Sequence, residues 1–305
     1  MGLSAISVDL DSLPHYCRIQ GLPDSLLDDR ARSLVYSVAV PRYLELFARA
    51  GVPATFFAIG AEADRSLALA REAGVEIASH GFAHDYAMSR WDLPRITEDL
   101  DQAHVAITEA CGAPPVGFRA PGYTLSPALL QAVAAKGYAY DSSTYPAAPY
   151  WAAKAGVMAA LALAGRPSRA ILDTPRVLLA PTFPYRPSLD DPYARGDAPL
   201  KELPIAVAPV TRVPFIGTFA VMAPWALVRA TFATFKKVQL FNFELHAIDV
   251  LDVSDGAPRE LARQQRDLEV PATEKLSRLS KLFQAMKDRS DCVTLREAAA
   301  RIDLD

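Results

Sequence analysis

Two aspartates, Asp9 and Asp11, are separated by one residue in the segment Ser7-Val8-Asp9-Leu10-Asp11. On a strand, residues two apart face the same side, so both carboxylates can enter one cavity. Two histidines, His80 and His84, stand four apart in Ser79-His80-Gly81-Phe82-Ala83-His84. That spacing sets two imidazoles together on one helical turn, a common way to hold a divalent metal. Arg119 opens the run Arg119-Ala120-Pro121-Gly122-Tyr123, and His246 follows an apolar segment and precedes Asp249. Each pattern has a plain structural explanation by itself. An Asp-x-Asp caps a loop, an arginine closes an ion pair, and a single histidine sits satisfied in the core or on the surface. Their shared placement at strand ends is what points to one site.

The elements that must position them alternate. Apolar runs at 3–10, 54–59, 75–79, 116–119 and 238–245 predict strands. Helical spacing predicts helices at 40–50, 66–73, 92–111, 127–136, 151–163, 225–235, 272–287 and 295–302, with Gly51 and Gly137 as stops. Strand–helix alternation argues for parallel βα units, in a barrel or a doubly wound sheet, whose chemistry gathers at the carboxyl ends of the strands. Between 146 and 224 proline is frequent and the alternation fades, with strands expected at 176–179 and 203–207. This stretch is too apolar for a linker and reads as an elaboration that frames the pocket.

Taken in order, the motifs resemble those of the NodB-type polysaccharide deacetylases, carbohydrate esterase family four. The five are Asp9/Asp11, His80/His84, Arg119 with Pro121, Asp141 in Tyr140-Asp141-Ser142-Ser143-Thr144, and His246 after Leu245. The resemblance covers roughly residues 4–145 and 210–250. It implies an α/β fold, a distorted (β/α)7 barrel carrying the 146–224 insertion, and one domain over 1–305 whose helices at 270–305 pack on the barrel. It also implies a metal held by Asp11, His80 and His84, most often Zn2+, with Co2+, Ni2+ or Fe2+ as alternatives. By the same resemblance Asp9 is the general base and His246 the acid. Arg119 and Asp141 pair to orient the base, and a backbone N–H at Gly122 or Tyr123 binds the oxyanion. The family's commonest first motif has adjacent aspartates. The intervening Leu10 resembles the branch with allantoinase-like amidohydrolases, some peptidoglycan deacetylases and a deformylase of lipid-linked aminosugar. The reaction expected is removal of an N-acetyl group from an amino sugar or a sugar-containing precursor. The alternatives are a non-sugar amidohydrolase or deformylase, and a barrel that binds without catalysis.

Composition narrows the partners. Thirty-two basic and 35 acidic residues leave a net charge of −3, which lacks the footprint of a nucleic-acid binder. Three scattered cysteines suggest a reducing compartment rather than a disulfide framework. Two aspartates by residue 11 leave no room for a signal peptide, so the expectation is a cytoplasmic protein acting on a small-molecule or lipid-linked amino sugar. No apolar run is long enough to span a bilayer. The segment 151–163 is expected either to cover the barrel or to give an apolar wall in peripheral contact with a membrane. His15, near the first motif, could line the pocket but is expected on a surface loop. Trp151, Trp225, Phe183 and Tyr185 could wall a sugar or apolar site but are expected mostly in the core.

Overall fold

In the computed structural model, which describes residues 2–64, 66–163, 165 and 171–304, ten strands occur. They are β1 (Leu3–Asp9), β2 (Thr55–Ala58), β3 (Glu76–Ser79), β4 (Gly117–Phe118), β5 (Tyr140–Asp141), β6 (Pro187–Ser188), β7 (Asp191–Arg195), β8 (Lys201–Glu202), β9 (Leu240–His246) and β10 (Asp291–Val293). From β1 the sheet continues in parallel through β2, β3, β4, β5 and β8. On the other side of β1 lies β9, paired in register from Leu3↔Leu240 to Asp9↔His246. The short β10 joins the start of β1, while β6 and β7 form a separate antiparallel hairpin.

The backbone after β8 closes the circle. Leu203 N–H donates to the Asp141 carbonyl at 2.8 Å, and Ala206 N–H donates to the Asn242 carbonyl on β9 at 3.0 Å. The result is a distorted α/β barrel whose last wall is irregular backbone rather than a full strand.

Period-2 alternation sorts the side chains. On β9, Phe241, Phe243 and Leu245 enter the apolar core beneath the helices, and Ile6 and Val8 on β1, with Leu10 just after it, do the same. The alternate positions, Asn242, Glu244 and His246 with Ser7 and Asp9, therefore face the barrel interior. The interior is layered. Ala5, Phe57, Ala78, Tyr140, Leu203 and Val293 form an apolar floor against helix Leu295–Arg301. Polar groups occupy the layers above it, at the carboxyl ends of the strands.

Several expectations need correction. Residues 176–179 are part of the 3-10 turn Pro175–Leu179, because Pro175 presets a helical φ at its first position and Leu179 is exposed. The strand expected at 203–207 is displaced to β8, so Lys201–Glu202 and the bonds of Leu203 and Ala206 are barrel wall rather than addition. Helix Trp225–Phe232 gives way to a 3-10 turn, Ala233–Phe235. Helix Leu13–Ile19 and the short β5, β7 and β10 had too few residues to show a period.

Candidate active site

The end of β1 delivers both aspartates. Asp9 is 1% exposed, and its Oδ1 accepts from Arg119 Nη1 at 2.5 Å. Arg119 is wholly buried, so its other donors must be matched as well. Nη2 bonds Ser7 Oγ and Ser142 Oγ, each at 2.9 Å, and Nε bonds the Ser142 carbonyl at 2.8 Å. Its guanidinium lies 4.0 Å from the Phe57 ring centroid, at the boundary of the apolar floor. Four hydrogen bonds to three residues and a stacked ring fix the arginine, and the arginine in turn fixes Asp9.

The two histidines are not on a helical turn. The segment 80–84 is a loop, with Gly81 at φ +75° and His84 at φ 49°. A side chain at Gly81 would meet Asp99 Oδ1 at 3.0 Å. Asp99, from helix Leu93–Cys111, holds the loop by accepting from Phe82 N at 2.7 Å and Ala83 N at 3.0 Å. The helix itself is set by its Asp92 cap and stopped at Gly112.

Three ligand atoms converge from Asp11, His80 and His84, all buried and within 4.8 Å of one another. Asp11 Oδ1 stands 3.1 Å from His84 Nε2 and 3.4 Å from His80 Nε2. Yet among the described residues Asp11 Oδ1 and His84 Nε2 are buried without a hydrogen-bond partner. Orphaned buried polar atoms are costly, and a divalent ion would satisfy both. His80 Nδ1 lies 2.7 Å from the Arg119 carbonyl, so the ring donates there and turns its Nε2 lone pair toward the cluster. Burial pushes His84 down to about 4, which leaves it a neutral ligand. Burial would raise Asp11, but the His84 and His80 imidazoles hold it well below the usual carboxylate range. His80 is raised against its own burial by Asp9 and Asp11, so the locus draws positive charge. Two imidazoles and a carboxylate suit zinc and its neighbours in the transition series.

His15 departs from expectation. It is 4% exposed, its Nδ1 lies 3.1 Å from His84 Nδ1, and its Nε2 lies 2.9 Å from Glu62 Oε1. With His84 Nε2 aimed at the metal locus, His84 Nδ1–H donates to His15 and His15 Nε2–H donates to Glu62. Ser12 Oγ also donates to Glu62 Oε1, at 2.6 Å. A surface-loop role for His15 is therefore corrected: helix Leu13–Ile19 carries it inward behind the metal ligand.

His246 sits across the cavity, at the end of β9. Its Nδ1 lies 2.9 Å from Glu244 Oε1, and its Nε2 lies 3.0 Å from Tyr123 Oη. Tyr123 donates to Glu244 Oε1 at 3.1 Å, so its oxygen is left to accept from the histidine. Burial opposes the imidazolium, but the Glu244 carboxylate overcomes it, and His246 is raised well above its ordinary value. The strand end is braced by Tyr43 Oη on the His246 carbonyl at 2.7 Å and by Asp249 Oδ2 on its N–H at 2.8 Å. Lys275 ties the following turn down through the carbonyls of Ile248 and Leu251. Asp9, Glu244 and His246 also fall within 4.8 Å of one another. Arg119 already neutralises Asp9 there, and His246 pairs with Glu244, so this second cluster is charge-balanced without a cation.

Asp141 is not brought to Arg119. Among the described residues the arginine's ion pair is with Asp9. Asp141 Oδ1 accepts instead from Ser143 Oγ at 2.6 Å, and its register partner on β8 is Glu202. Burial raises Asp141, and burial together with the Asp141 charge raises Glu202 well above its usual value. Ser143 Oγ also accepts from Ala120 N at 2.8 Å, which anchors the Arg119–Tyr123 loop from below. Gly122 and Tyr123 line the cavity, both at positive φ. A Cβ on Gly122 would lie 2.4 Å from the Tyr86 ring. Tyr123 N–H is committed to the Ala120 carbonyl at 3.1 Å.

The cavity, about 360 Å³, has Asp9, Asp11, His80 and His246 at its base and Tyr16, Tyr86, Tyr150 and Lys154 on its walls. Glu244, Asp99, His15 and Glu62 were missed from sequence. Only Glu244 had a signal there, lying two residues before His246 on one strand face.

Residues 27–140, which include His80, His84 and Arg119, match the family model described as Polysaccharide deacetylase. A peptidoglycan deacetylase of Helicobacter pylori is 30% identical over 146 residues, covering 46% of this chain and 49% of that protein. A peptidoglycan deacetylase-like protein of Gibberella zeae is 29% identical over 145 residues, covering 45% and 42%. The chain thus spans about half the length of the curated relatives it matches. Among solved structures, a Mycobacterium smegmatis protein assigned as a polysaccharide deacetylase aligns over 98% of this chain and 89% of its own, with TM-score 0.62 and 19% identity. Puue allantoinase aligns over the same shares, with TM-score 0.58 and 17% identity. At these identities the two structures speak for the fold alone. The matched segment, residues 27–140, and the motifs in it are thus similar to those of the polysaccharide deacetylases.

Proposed function

We propose that this chain is a divalent-metal hydrolase that removes the N-acetyl group from an amino sugar or a precursor containing one. One observation carries the reading. A cation-seeking Asp11/His80/His84 cluster with two orphaned ligand atoms shares a cavity with an arginine-held carboxylate and a carboxylate-held histidine.

Asp11, His80 and His84 would hold the ion, with zinc the best match to the donor set. When bound, it supplies Lewis acidity, polarising an amide carbonyl and making water more acidic. Asp9, fixed by Arg119, takes the proton of the attacking water. Tyr123 N–H is spent in its turn, so Gly122 is the better placed of the two to offer a backbone N–H to the oxyanion. His246, kept protonated by Glu244, gives its Nε2 proton to the leaving amine, which cannot depart as an anion near neutral pH. Arg119 acts as the positioning residue for Asp9. Asp141 supports the loop that carries Gly122 through Ser143.

The cavity volume favours a monosaccharide-sized group over a long polymer segment. That same size is the observation behind the second reading, a small non-sugar amide or formamide. The stretch 146–224 supplies Tyr150, Lys154, Ile216 and Thr218 to the walls, which supports its role as the frame of the pocket within one domain. The three cysteines are free thiols, in keeping with work inside the cell. The test is acetate release from N-acetylhexosamines by zinc-loaded protein, against formate or ureide hydrolysis. Asp9→Asn should keep about one metal per chain and lose roughly 10²–10⁴ in kcat. Loss of the metal in that variant would exchange the roles of the two aspartates, and full turnover after chelation would sink the mechanism.

A further inference from the structure

The charged groups around the cavity pair off, with one exception. Asp9 is matched by Arg119, Asp11 by the two imidazoles and His246 by Glu244. Lys154, on helix Ala148–Leu163, lines the wall with no carboxylate within ion-pair distance among the described residues. Its Nζ lies 5.7 Å from the Tyr150 ring centroid. Burial pushes Lys154 down to about 8, which leaves it charged at neutral pH. The Asp173 charge acts on Lys154 from beyond ion-pair distance, and burial outweighs it. A half-buried ammonium without a direct partner is unfavourable unless something supplies one.

A second observation falls in the same place. The cavity opens beside Gly122, Tyr123 and Tyr150 into a small cleft that also contains Lys154 and Tyr145. Tyr145 is 4% exposed, and its hydroxyl has no hydrogen-bond partner among the described residues. The acid of that cleft, Asp173, is taken up by Tyr193 Oη and by Thr174 N at 2.6 Å. Among the described residues, an ammonium without a direct partner and an unpartnered hydroxyl are left at one edge of a site whose chemistry is otherwise self-contained.

We propose that Lys154 and Tyr145 form a subsite for an anionic substituent of the substrate, a phosphate or carboxylate carried by the amino sugar. The proposal rests on the deacetylase reading and adds the charge of its substrate. Lysine binds such groups as a point charge, and the tyrosine hydroxyl donates to the same oxygens.

Three probes separate the sources of the anion: N-acetylglucosamine, its 1-phosphate, and N-acetylmuramic acid, whose anion is a carboxylate. With zinc-loaded protein, one of the two anionic probes should exceed the neutral one in kcat/KM by roughly 10- to 100-fold, mostly through KM, the worth of one charge-assisted hydrogen bond. Lys154→Met should collapse that ratio toward one, while Lys154→Arg keeps most of it. Equal kcat/KM for all three probes, or a preference that survives in Lys154→Met, overturns the subsite. If none of the probes releases acetate, the deacetylase reading falls separately. Calorimetric binding of N-acetylglucosamine 1-phosphate and N-acetylmuramic acid to wild type and Lys154→Met then decides the subsite. Tighter binding of an anion by wild type upholds it, and equal or absent binding overturns it.

Discussion

The strand ends and the 146–224 stretch border the same cavity but are built in opposite ways. At the strand ends the reactive side chains are buried, His246 only partly, and most are held by others. Arg119 makes four hydrogen bonds to three residues, Asp9 is gripped by Arg119, and His246 is fixed by Glu244 and Tyr123. On helix Ala148–Leu163 the wall residue Lys154 has no such partner, and the outer face exposes Val157 and Leu163. Reaction chemistry needs geometry held to a fraction of an ångström, which dense buried networks provide. A substrate-selecting wall needs the right charge and shape, and it can leave groups unpaired until a ligand arrives.

If that contrast is sound, damage at the strand ends should be severe and specific in kind. His80→Ala should abolish stoichiometric metal binding, read by metal analysis, and take turnover to background. Next in size, Glu244→Gln should cost roughly 10²–10⁴ in kcat, the usual worth of a general acid. The pH profile gives the sign. The Glu244 carboxylate raises His246, so the protonated acid persists well above its ordinary range and activity falls only as pH climbs through that raised value. Without the charge His246 falls, and the alkaline limb of kcat/KM should move to lower pH. An unmoved limb would mean that another group supplies the proton.

The same contrast explains what the sequence could reveal. Asp9 and Asp11 declare themselves because a strand puts alternate residues on one face, and the rule applies equally to Glu244 and His246. The His80/His84 pair was visible as a pair, but not as a loop. Its shape depends on Asp99, fifteen residues beyond His84, accepting from two loop amides. His15 and Glu62 meet through tertiary packing alone, so no local pattern marks them. Asp141 was legible as a motif residue, yet its partner Glu202 lies on a two-residue strand too short to show a period. The regular barrel elements were legible from periodicity. The 201–208 wall was not, because it is held by single backbone bonds rather than by a repeated pattern.

The networks behind the metal ligands should show intermediate effects. His15→Phe keeps the ring volume but breaks the chain from His84 to Glu62. It should weaken metal binding roughly 10- to 100-fold in a chelator competition, with melting temperature little changed. His15→Gln, which can still accept from one side and donate to the other, should recover most of the affinity. Equal affinity in His15→Phe would reduce the relay to packing.

The smallest effect belongs to the far side of the comparison. Leu163 is 91% exposed at the end of its helix, so Leu163→Ser removes apolar surface that is already in water. Unfolding free energy should change by no more than about 0.5 kcal/mol, and acetate release should be unaltered. A measured loss of activity on lipid-linked substrate alone, with soluble substrate unaffected, would show that this exposed face does work at a membrane surface. It would also end the division drawn here, because an exposed face would then share in function with the buried networks.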